Sequence, residues 1–127
     1  VSARPRQFRR TLEELYAAHC ILWNLGFSPE EIFVSAPNVV NGDPPGHYAT
    51  LTLRRGGLSF IYNLPPRLER ADADLFLREW LAFSKRVRSM PNAKLDRMVR
   101  GSDVWQRKSE MLAVLARKGF RFAAVES

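Results

Sequence analysis

The chain holds one cysteine, two histidines and no long apolar run, and each shortage removes a class of protein. Cys20 has no partner within the sequence, so no internal disulfide braces the fold, and a reducing, intracellular and cytoplasmic setting is expected. With only Cys20, His19 and His47 to draw on, no Cys/His spacing suits a zinc ion. Asp72 and Asp74 supply too few oxygens for a hard cation and are expected to serve a helix start instead. No apolar stretch reaches the roughly 20 residues that a membrane-spanning helix needs, so membrane insertion is not expected. A phosphate-cradling glycine loop and a serine-nucleophile motif are also missing, and no cofactor is implied.

What is present is ordinary globular material with an excess of one charge. The sequence has 127 residues, 46% of them hydrophobic and 26% charged, enough for a single core without staples. Twenty Lys and Arg against thirteen Asp and Glu give +7, and the excess is polarised. From Lys85 to Arg121 eleven basic residues face only Asp96, Asp103 and Glu110, a net +8, so the remainder sums to −1. Such a segment favours polyanionic partners without naming one.

The clearest local signal is His47 to Asn63, where two β-prone runs flank Arg54-Arg55-Gly56-Gly57. A glycine pair between alternating runs predicts a hairpin. Ala49, Leu51 and Leu53 fall on one face and Tyr48, Thr50, Thr52 and Arg54 on the other, so one side of the sheet must be covered. Ile32, Phe33 and Val34 predict a short first strand limited by Pro37, and residues 41–46 an exposed loop. Leu64-Pro65-Pro66 ends the sheet.

Residues 1–10 are read as a flexible basic arm and 11–127 as one α+β domain. Thr11 and Glu14 form a capping-box pattern for a first helix ending at Gly26-Phe27. That helix is apolar nearly all round, which places it centrally. A second helix runs to about Arg88, with Phe76, Leu77, Trp80, Leu81, Phe83, Ser84 and Val87 on its inner face. A short helix from about Asn92 to Arg100 turns Lys94, Arg97 and Arg100 outward. Asp103 with Gln106 is expected to cap a last helix ending at Gly119-Phe120, and the tail from Arg121 has edge-strand character. The predicted fold is therefore α+β: an N-terminal helix, a three-stranded antiparallel meander, and two to three C-terminal helices packed on one face of the sheet.

The helix, three strands and helix of residues 11–88 resemble the element order of a double-stranded-RNA-binding domain, with Pro45-Gly46-His47 in the corresponding loop. That family grips phosphates with lysines at the start of its second helix. Here Ala71-Asp72-Ala73-Asp74 stands there, so the resemblance is one of topology and transfers no residues.

The expected function is a small non-enzymatic binding module that meets nucleic acid or another polyanion through Arg54, Arg55, Lys85, Arg86, Lys94, Arg97, Arg100 and Arg107. Trp105, near Arg100 and Arg107, is either core or a stacking platform for a base. An acidic protein partner is the alternative, contacted through Phe122, Tyr48 or Tyr62. An enzyme would have to gather His47, Asp43 and Tyr62 or Glu79. His19 and Cys20, adjacent on a helix, diverge by about 100° and do not form a nucleophile and base pair.

Overall fold

The computed structural model describes residues 4–40, 46–64 and 72–122. In chain order these form α1 (Arg4–Asn24), a single 3-10 turn (Pro29–Glu31), β1 (Ile32–Val40), β2 (Gly46–Arg55), β3 (Leu58–Leu64), α2 (Ala73–Val87), α3 (Asn92–Arg100), α4 (Asp103–Gln106) and α5 (Lys108–Arg117). The fold is α+β, with an antiparallel sheet of order β1-β2-β3. The hairpin forms as its alternation predicts. Arg55 pairs with Leu58, and Gly56 and Gly57 take φ of 54° and 84°, a left-handed turn that residues with a Cβ resist.

Register sorts the side chains of the sheet. Ile32 and Phe60 lie opposite Leu53, Val34 and Tyr62 opposite Leu51, and Leu64 opposite Ala49; all face the core. The other face carries the row Phe33, Thr52 and Ile61 across the three strands. Phe33 and Ile61 are 45% and 62% exposed.

β1 runs beyond Pro37, against the expected limit. The register shifts between Ser35 and Asn38, so the proline sits in an irregularity of an edge strand, where a missing N–H removes little.

Helix α1 is the spine. It packs on α2, α3, α4 and β3, and Leu12, Leu15, Ala17, Ala18, Ile21, Leu22 and Leu25 are all buried. The helix begins at Arg4 rather than Thr11, which corrects the reading of residues 4–10 as a mobile arm. Phe8 extends the apolar stripe one turn backwards and is fully buried, edge-on to Phe76 at 5.7 Å. Burial of that ring offsets the ordering of an arginine-rich turn. On α2, Phe76, Phe83 and Val87 are buried as expected, but Leu81 is 61% exposed and lies off the inner face.

The two Gly-Phe helix ends behave alike and then meet. Gly26 and Gly119 both take φ of 97°, and Phe27 and Phe120 donate their N–H groups to Leu22 and Leu115, five residues back. The Phe27 and Phe120 rings contact at 5.9 Å, so the end of α1 is locked to the end of α5. The last helix is kinked at Arg107 (φ −108°, ψ 22°), which separates α4 from α5. Arg121 and Phe122 are not in a strand, and the rest of the tail lies outside the described residues.

Candidate polyanion-binding surface

Helix α3 turns Val99 into the core and half-buries Leu95 and Met98, so Lys94, Arg97 and Arg100 are left in solvent. These three, spaced by three residues, share its outer side. Arg100 Nε donates to Asp96 Oδ1 at 2.9 Å; Lys94 and Arg97 have no ion-pair partner among the described residues. A pair so exposed is weak and does not withdraw Arg100 from a stronger anion.

The next turn is held from below. Ser102, buried, caps α4 by accepting the Trp105 N–H at 3.2 Å while its hydroxyl donates to the Val99 carbonyl at 2.6 Å. The expected Asp103–Gln106 capping box is not formed; Gln106 instead donates to the Arg100 carbonyl at 2.8 Å. The Asp103 and Val104 N–H groups go to the buried Glu14 carboxylate at 2.7 and 2.9 Å. Glu14 thus closes the start of α4 across about ninety residues of sequence, in place of its expected bond to the start of its own helix. Arg10 pairs with the Asp103 side chain at the same corner.

This anchoring presents Trp105. It is half-buried, with the Lys108 ammonium 4.0 Å and the Arg100 guanidinium 5.8 Å from its ring centre. Lys108 thus carries its ammonium, rather than its stem, over the indole. Between the core and stacking alternatives, Trp105 occupies an intermediate position: one part anchors α4, the rest is framed by two cations.

The other expected residues divide. Lys85 and Arg86 are exposed on the last turn of α2, where cations suit the helix dipole, and Arg86 lies 5.7 Å from the Phe83 ring. Arg107 is not among the cations over the Trp105 ring. It donates to Glu110 at 3.1 Å and lines a shallow hollow of about 150 Å³ with Phe60, Tyr62 and Val104. Arg54 lies 5.4 Å from the Phe33 ring on the uncovered face of the sheet.

Arg55 is the clear correction. Its guanidinium reaches the Glu31 carboxylate at 2.6 and 2.8 Å, the Arg121 carbonyl at 2.9 Å and the Gly26 carbonyl at 3.3 Å, and lies 4.2 Å from the Phe27 ring centre. Every nitrogen is committed to joining the hairpin, the end of α1 and the segment after α5. It is a clasp within the fold and not a free surface charge. Its partners are 24, 29 and 66 residues away, so its sequence neighbours carry no signal of this role.

The nucleophile candidates are inward. His19 is buried, its Nδ1–H donating to the Leu15 carbonyl at 2.8 Å, and burial pulls its pKa down. Burial pushes the Cys20 thiol up, which makes it a poor thiolate. Tyr62 is half-buried on the covered side of the sheet. Asp43 lies outside the described residues. Among the described residues no group of three His, Cys, Asp or Glu could hold a metal ion, and no helix is long and apolar enough to cross a membrane.

Comparison with protein families, with curated proteins and with solved structures gives no match.

Proposed function

We propose that this chain is a non-enzymatic binding module that engages a polyanion, foremost nucleic acid, through the outer side of α3, the start of α4 and the last turn of α2. The observation that carries the reading is the exposed row Lys94, Arg97 and Arg100 leading to the half-buried Trp105, which has the Lys108 ammonium 4.0 Å and the Arg100 guanidinium 5.8 Å from its ring centre. Cations on one helix side neutralise phosphates and release counterions, and an indole beside them offers a surface on which a base stacks. Arg54 and Arg55 are not part of this surface: the first belongs to the open sheet face and the second to the fold. The test is binding to labelled single- and double-stranded DNA and RNA across a salt series, with Arg97→Glu and Arg100→Glu as the disabling change. Salt-sensitive binding lost in that variant supports the reading.

A second reading, an acidic protein partner, is favoured by the uncovered face of the sheet. Phe33 and Ile61 stand exposed either side of Thr52, and Arg54 lies against Phe33. Those residues replace Tyr62 and Phe122, both half-buried against the core, as the ones such a partner would meet. Protein capture weakened by Phe33→Ser and Ile61→Ser, with no nucleic-acid binding, is its signature.

A further inference from the structure

Between the second half of α1 and the second half of α2 lies a half-open cleft of about 400 Å³, lined by Tyr16, His19, Trp23, Trp80, Ser84 and Arg88. That volume lies within the range of about 300–1,000 Å³ usual for sites that take a small ligand. The wall is aromatic. His19 stacks on Trp80 with ring centres 5.2 Å apart and meets Trp23 edge-on at 5.4 Å, while Tyr16 meets Trp23 edge-on at 6.3 Å. A cluster that served only the core would close on itself. This one leaves Trp23 43% exposed, because α1 stops one residue later and the chain turns away at Gly26.

The chemistry of the lining restricts the occupant. Among the described residues no carboxylate lines the cleft, which disfavours an ammonium ligand. Burial favours the neutral form of His19 and pushes the Tyr16 hydroxyl up to about 12, so near neutral pH neither is a source of charge. The charge at the rim is Arg88, exposed and without an ion-pair partner among the described residues. Lys85 and Arg86 precede it, and four residues after it the chain enters α3 with Lys94 and Arg97 outward. A flat, apolar, neutral body with an anionic group attached matches this arrangement of indoles and guanidinium.

We propose that the cleft takes a nucleotide, its base lying among Trp23, Trp80 and His19 and its phosphate on Arg88. The proposal rests on the polyanion reading and deepens it: a base must leave its stack to enter, so the chain prefers single strands over duplexes. The basic side of α3 would then hold the neighbouring phosphates.

The experiment titrates the full chain with a short single strand, the same sequence as a duplex, inorganic polyphosphate and AMP, following fluorescence anisotropy of labelled strands and intrinsic tryptophan emission. The variants are Trp23→Ala and Arg88→Gln, both at exposed positions, with far-ultraviolet circular dichroism to confirm the fold. The expected result is a single-strand preference and AMP-dependent quenching, with Trp23→Ala weakening single-strand binding roughly 5- to 150-fold, as removal of one stacking side chain does. AMP binding as tightly as the strand identifies a free nucleotide as the occupant; a much tighter strand identifies a nucleotide within a chain. Equal single-strand affinity in parent and both variants, or saturable binding of a proline-rich peptide at Trp23 with no response to AMP, overturns the proposal. Salt-sensitive duplex and polyphosphate binding without strand preference or AMP quenching defeats the cleft alone. AMP quenching with no polyphosphate or duplex binding defeats the basic surface alone.

Discussion

Arg55 grips the Glu31 carboxylate through two N–H donors, at 2.6 and 2.8 Å, and so joins the tip of the β2–β3 hairpin to the turn that follows α1. Hydrogen bonds from Arg55 and from the Ser28 N–H hold the Glu31 carboxyl down at about 2, below its ordinary 4.5. A depressed carboxylate contributes stability that is present above its unfolded pKa and lost as pH falls through the folded one. The contribution is therefore complete above about 4.5 and fades towards about 2. Urea denaturation of the parent and of Glu31→Gln from neutral pH to pH about 3 checks it: a constant gap at neutral pH that narrows below about 4.5 is expected. A gap independent of pH would mean that the charge of Glu31 adds nothing.

Glu14→Ala removes the acceptor for the Asp103 and Val104 N–H groups, which leaves a buried helix start without partners. A loss of about 2 kcal/mol is expected, in the range of a removed helix cap or an orphaned buried donor. Chemical denaturation measures it. Because α4 carries Trp105, the same variant should also show a shifted tryptophan emission.

Phe8→Ala distinguishes a packed first turn from a loose arm. The ring is fully buried against Phe76, so its removal should cost about 3–5 kcal/mol, as large aromatic deletions do. A change below about 0.5 kcal/mol, the scale of exposed substitutions, would return Phe8 to a solvated arm.

These residues also mark how far the fold is legible in the sequence. The hairpin, the Gly-Phe helix ends, the central α1 and the outward row on α3 all rest on local patterns: alternation of two, a glycine at positive φ, a 3.6-residue stripe. Each is legible because the cause lies within a few residues of the effect. Phe8 is hidden by its surroundings, since four arginines in the first ten residues mask one apolar side chain that tertiary packing makes decisive. Glu14 and Arg55 mislead for another reason. Their nearest sequence neighbours offer a satisfactory local role, a capping box and a basic pair, while their actual partners lie 24 to 90 residues away. The aromatic cleft is hidden similarly: α1 reads as apolar nearly all round, and only the placement of α2 leaves a recess beside Tyr16, His19 and Trp23.

The central claim is that α3 and α4 meet a polyanion, and a salt series on the parent and the Arg97→Glu, Arg100→Glu double variant tests it most directly. For the parent, log affinity for single-stranded RNA or DNA should fall linearly with log salt. In the variant, binding should weaken at every salt concentration and the slope should drop by about 2, one for each phosphate no longer neutralised. A folded variant that binds with the parent's affinity and slope would contradict the account, as would a parent that binds no nucleic acid at low salt.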